Sequence, residues 1–101
     1  MTACLIVRAK VEPSSKNNFD LWYQKEHLPD AFKAFGPLTA KRGWSLNEPN
    51  THIAIYEFPD LTAATAATNS QKIKELILEF DRHWEGKVTR TREVVDLSQS
   101  L

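Results

Sequence analysis

The segment Thr51 to Phe58, THIAIYEF, is apolar on both sides of its alternation. Ile53 and Ile55 fall on one side, and Ala54, Tyr56 and Phe58 on the other. A strand with this pattern has to be covered on both faces, so it belongs in the centre of a sheet with a layer on each side. Thr2 to Val11 repeats the property. Ala3, Leu5, Val7, Ala9 and Val11 make one wholly apolar side, while Cys4 and Ile6 add apolar groups to the side that holds Thr2, Arg8 and Lys10. Two more alternating segments, Leu38 to Leu46 and Lys87 to Leu97, complete a set of four strands.

Helical spacing fills the gaps. Glu12-Pro13-Ser14-Ser15 ends the first strand, and Ser14 or Ser15 is expected to cap the helix that follows. That helix carries FDLWYQKEHLPDAFKAF from Phe19 to Phe35. Phe19, Trp22, Tyr23 and Glu26 recur at i, i+3, i+4 and i+7, which puts three aromatics on one face. Pro29 lacks an N–H and crowds the residue before it, so the helix is expected to kink or stop near His27 and to restart with Pro29 at its first position. Gly36-Pro37 closes it. Asn47-Glu48-Pro49-Asn50 predicts a hairpin turn between the second and third strands. Asp60 caps a short piece from Leu61 to Thr68, and Asn69-Ser70 interrupts and recaps. Ile73, Leu76, Ile77, Phe80 and Trp84 then mark the inward face of a second long helix, which Gly86 ends.

The order β-α-β-β-α-β predicts an α+β, ferredoxin-like fold, with a four-stranded antiparallel sheet and both helices on one face. The whole chain, 1–101, forms a single domain. Helices on one face leave the other bare, yet the first and third strands are apolar on both. A second copy of the chain, packed sheet against sheet, is the expected cover. Thirteen basic residues balance thirteen acidic ones, so no overall field favours nucleic acid or an anionic membrane. The single Cys4 excludes an intrachain disulfide and fits a packed thiol in a reducing compartment. Neither a signal peptide nor a stretch of about 20 apolar residues is present, which makes the cytoplasm the expected location.

With these elements in place, the chain resembles the dimeric α+β barrel superfamily. The run from Trp22 to His27-Leu28-Pro29 is similar to the EthD-like and antibiotic-biosynthesis-monooxygenase-like groups, in which a Trp precedes a His and a nearby Pro at the end of the first helix. The resemblance implies two ferredoxin-like subunits with sheets packed together around a cavity. Cofactor-free monooxygenases, cyclases, isomerases, haem enzymes and ligand-sensing domains share this fold, so it does not choose among them.

His27 is the candidate catalytic residue, because an imidazole moves protons near neutrality; the plainer role is to satisfy carbonyls at a helix end. Trp22 and Tyr23 can line a cavity and orient a ring, or can be core. His52 and Tyr56 share a parity. On a cavity face they form an acid/base and hydrogen-bonding pair; on the helix face Tyr56 is core and His52 an edge residue. Arg90 and Arg92 share a face of the fourth strand and can hold a carboxylate, or can be solvated charges that protect an edge. No metal-ligand spacing, phosphate loop or haem motif appears. The expectation is a homodimer that binds a small hydrophobic or aromatic molecule with no metal or organic cofactor. Oxygenation, isomerisation and cyclisation are the candidate reactions. The competing class is a non-catalytic ligand-binding, stress-associated or assembly protein.

Overall fold

A computed structural model describes residues 2–101. Four strands, β1 (Ala3–Val11), β2 (Thr39–Trp44), β3 (Thr51–Phe58) and β4 (Val88–Asp96), form one antiparallel sheet in the order β2-β3-β1-β4. Helices α1 (Lys16–Trp22), α2 (Leu28–Phe35), α3 (Leu61–Thr68) and α4 (Gln71–Trp84) lie on one face of it. This is the ferredoxin-like arrangement, and the two strands that are apolar on both sides occupy the centre.

Register decides which side chains meet the helices. Leu5 lies opposite Tyr56 and Val94, Val7 opposite Ala54 and Arg92, and Ala9 opposite His52 and Arg90. On β2, Ala40 faces Tyr56 and Trp44 faces His52. Directly opposed residues share a side of the sheet, so Tyr56, His52, Arg90 and Arg92 all point to the helix layer. Tyr56 is core, as expected for that face. His52 is not the edge residue expected there: it is 1% exposed, because β2 lies outside it and Phe19 of α1 covers it.

The first helix departs from expectation twice. Neither Ser14 nor Ser15 caps it through a side chain. Pro13 starts a 3₁₀ turn over Pro13–Ser15, in which the Ser15 N–H donates to the Glu12 carbonyl at 2.8 Å, and the Ser14 hydroxyl turns instead to the Glu12 carboxylate. Nor does Pro29 break the helix. Residues Tyr23–His27 form a single π turn whose Leu28 N–H reaches back five residues to the Tyr23 carbonyl, and the backbone stays right-handed helical into α2. The extra residue of a π turn absorbs the bond that proline cannot make. Gly36 closes α2 at φ +61°, its N–H bonded to the Phe32 carbonyl.

The remaining caps follow the sequence. Asp60 accepts from the Ala63 N–H at 2.7 Å, and Ser70 from the Ile73 N–H at 3.3 Å. Ile73, Phe80 and Trp84 are buried beneath α4. Leu76 and Ile77 are only half-buried, because they border the cavity described below.

The far face of the sheet carries no helix. Cys4, Ile6, Ile53, Ile55 and Val95 form an apolar strip there, and Ile55 is 40% exposed. The Arg8–Glu93 ion pair, Lys41 and Glu57 flank the strip. Burial, with Glu57 and Glu93 behind it, pushes the Cys4 thiol up, so it stays protonated.

Candidate functional site: a cavity beneath the π turn

Phe19 is the hub from which the site is built. Its ring lies 5.2–6.3 Å from those of Trp22, Tyr23, Trp44, His52, Phe80 and Trp84, mostly edge-on. The aromatic stripe read from the sequence is therefore core, and it fixes the angle at which the π turn meets the sheet. The indole N–H groups of Trp22 and Trp84 are buried without partners, so apolar contact holds these rings.

Tyr23 and His27, the first and last residues of the π turn, both line a cavity between helices and sheet. Tyr56, Arg90 and Arg92 complete its polar lining, and Leu5, Val7, Phe35, Leu76 and Phe80 supply apolar wall. The space open to water centres is about 30 Å³, room for one or two waters, so any larger guest has to extend beyond it. A larger open groove, about 520 Å³, runs between α4 and the edge strand β4. The two spaces share Leu5, Ile73, Ile77 and Arg92 as a common wall.

Tyr23 and Tyr56 meet hydroxyl to hydroxyl at 3.1 Å. Burial pushes Tyr23 up to about 12 and holds Tyr56 well above its ordinary value, so both are neutral. One hydroxyl must donate to the other. No further hydrogen bond reaches either among the described residues, which leaves one O–H for a guest.

His27 is 9% exposed, and among the described residues its imidazole makes no hydrogen bond to protein. Trp22 stacks on it at 4.9 Å and 22°, and Tyr23 meets it edge-on at 4.8 Å. Burial first, then the charges of Arg90, His52 and His83, push it down to about 4. At neutral pH it is an uncharged ring with a lone pair available. Arg90 lies over the Phe80 ring at 3.8 Å, and its one ion pair, to Asp81, is long at 3.4 Å. Arg92 is exposed on the shared wall. Among the described residues no carboxylate lines the cavity.

The sequence candidates thus separate into two sets. His27, Tyr23, Tyr56, Arg90 and Arg92 converge on the cavity, whereas Trp22 and His52 lie outside its lining. Trp22 sets the plane of His27. His52 joins a second network, in which Arg42 donates to its Nε2 at 3.3 Å and to Asp20 at 2.8 Å, while the Trp44 indole also donates to Asp20 at 2.8 Å. Burial, with the Arg42 charge, pushes His52 down to about 4; the Arg42 hydrogen bond, then that of Trp44, holds Asp20 below its ordinary value. Sequence reading missed Asp20 and Arg42. Their available signal was parity alone: Arg42 and Trp44 alternate with the same phase, one strand away from His52.

Among the described residues, no group of three acidic, His or Cys side chains is placed to hold a metal, and no helix is long and apolar enough to cross a membrane. No protein-family model and no curated protein matches the sequence. Solved structures match over nearly the whole length. An EthD family protein from Bacillus halodurans has a TM-score of 0.69 at 18% identity, covering 92% of this chain and 97% of that one. SnoaB, a cofactor-independent oxygenase from Streptomyces nogalater, has a TM-score of 0.72 at 13% identity, covering 99% and 96%. A protein from Deinococcus radiodurans, provisionally named an antibiotic biosynthesis monooxygenase, has a TM-score of 0.73 at 10% identity, covering 98% and 95%. The fold is the one that these EthD-family, SnoaB and antibiotic-biosynthesis-monooxygenase-like structures share. Identities this low speak for the fold alone.

Proposed function

We propose that the protein works as a homodimer, holds a small hydrophobic or aromatic molecule beside His27, and uses that imidazole to accept a proton from it. What supports the reading is a buried neutral imidazole with no protein partner on a cavity wall. Such a group is placed to take a proton from an enol, a phenol or an activated C–H once the anion developing beside it raises its basicity. The anion so formed would meet the spare tyrosine hydroxyl and Arg90, both already oriented before any guest arrives. Oxygenation, isomerisation and cyclisation of enolisable or phenolic molecules all begin with such a proton removal. SnoaB, of similar fold, is a cofactor-independent oxygenase, which agrees with a site built from proton-moving side chains.

The phenolic indicator 4-nitrophenol provides the test, since its absorbance reports its ionisation. His27→Asn keeps size and some hydrogen bonding but removes the titration. Binding of the indicator should weaken about ten-fold or more, while stability at neutral pH stays within about 1 kcal/mol of wild type. Equal binding by both proteins would remove His27 from the function. One observation favours binding without turnover: a cavity of about 30 Å³ holding an imidazole near 4 is tight and weakly basic. Repeated turnover of any enolisable guest would decide against that reading.

The dimer rests on the bare apolar strip of the sheet. Its flanking charges are of both signs, Arg8 and Lys41 with Glu57 and Glu93, so the surface can complement itself about a two-fold axis. Light scattering at micromolar concentration should give the mass of two chains, and Ile55→Glu, which places a charge in the strip, should give one. A wild-type protein of single-chain mass would refute the dimer without touching the cavity.

A further inference from the structure

From the arrangement of Arg90, Arg92 and His27 around a cavity the size of a head group, we infer that the natural guest is a small apolar acid: its carboxyl enters the cavity between the two arginines and His27, and its body lies in the groove between α4 and β4. This rests on the cavity reading above and narrows its substrate class.

Charge comes first. Among the described residues, the formally charged side chains on the cavity wall are two arginines, carried on one face of one strand. Asp81, on α4, answers Arg90 only at 3.4 Å and from outside the cavity lining, and among the described residues Arg92 pairs with no carboxylate. A half-buried guanidinium stacked on Phe80 has most of its donors left for a guest. The titratable and charged groups whose influence reaches His27 are Tyr23 on its own helix, His83 on α4, Arg90 on β4 and His52 on β3, and none is a carboxylate. Burial, and after it the Arg90 charge, now keep the imidazole uncharged, and an incoming anion would offset the second of these.

Size points the same way. About 30 Å³ of partly open space suits a carboxyl group and is too small for a ring, while the adjoining groove offers Ile73, Ile77 and Val94 to an apolar body, with Lys74 and Glu93 also on its lining. Arg92 stands on the wall that both spaces share, where an acid passing from groove to cavity would meet it. Binding therefore brings one proton to the site, carried by the acid or taken up by His27, and it should tighten as pH falls towards the range in which His27 titrates.

Benzoate and benzamide, equal in shape and different in charge, supply the test on the intact wild-type chain. Calorimetry at pH 6 should show benzoate binding about ten-fold or more tightly than benzamide, with proton uptake that appears as a dependence on buffer ionisation heat. Arg92→Gln, an exposed position that does not endanger folding, should abolish most of that preference; Arg90→Gln should do so as well. The His27 imidazole resonance should move towards its protonated form with benzoate and stay unmoved with benzamide. Equal affinities, or a preference that survives both arginine substitutions, would overturn the acid assignment and leave the cavity reading standing. Failure of benzoate, benzamide and 4-nitrophenol alike to bind would overturn both.

Discussion

Phe19→Ala is expected to cost about 3–5 kcal/mol, the range for removing a fully buried aromatic ring. For a domain whose whole stability is of order 5–15 kcal/mol, that leaves little margin. Phe19 is 0% exposed, and its ring touches six others contributed by α1, the π turn, β2, β3 and α4. Few smaller side chains can collapse into that space, because the neighbours are themselves rigid rings. Thermal unfolding should shift down by roughly 15 °C or more. Leu21→Ala is the control, at an exposed position two residues along the same helix, and should change stability by less than about 0.5 kcal/mol. Similar melting temperatures for the two variants would mean that α1 does not seat on the sheet by its aromatic face.

Acidification from pH 6.5 towards 4 should destabilise the domain by several kcal/mol through its two buried histidines. His27 and His52 both sit near 4 in the fold, against about 6.5 in the unfolded chain. Between those values the unfolded state binds more protons than the folded one, so stability rises with pH across the window. It is complete above about 6.5 and drains away as pH falls to about 4. Each histidine carries on the order of 3 kcal/mol at about 1.4 kcal/mol per pH unit. Asp20, held low by Arg42 and Trp44, acts with the same sign further down: its contribution is present above the ordinary carboxylate range and fades as pH falls through its lowered value. Urea unfolding at half-unit intervals from pH 7.5 to pH 4.5 measures the slope. His27→Asn should remove about half of it, and a flat profile would mean that neither imidazole is buried uncharged.

The frame was legible because its signals are local. Double-sided apolar alternation put β1 and β3 in the centre, and Asp60 and Ser70 announced their helices by side-chain chemistry that needs no tertiary context. The site was legible only as a set of candidates. His52 and Tyr56 share a parity with Ala54 and Phe58, but a strand apolar on both sides does not say which side meets the helices; pairing with Leu5 and Ala9 does. Arg90 reads as a solvated edge charge until register brings it opposite Ala9 and Phe80 covers it. The π turn was out of reach for a different reason: Pro29 reports that a backbone bond is missing and not how the chain absorbs the loss. That local choice aims both Tyr23 and His27 at the cavity. Asp20 and Arg42 could not be paired from sequence at all, since 22 positions separate them and only the β2–β3 register joins their surroundings.

Everything functional here depends on His27 being an uncharged imidazole that faces an internal space. Titration of its side chain by imidazole NMR, with His27→Asn to assign the resonance, examines that directly. The free native protein should show a neutral ring throughout the range down to pH 5, consistent with a midpoint of about 4, and occupancy of the cavity by an acid should raise that midpoint. A native-state midpoint near the ordinary 6.5, unmoved by benzoate, would place His27 in water and contradict the account.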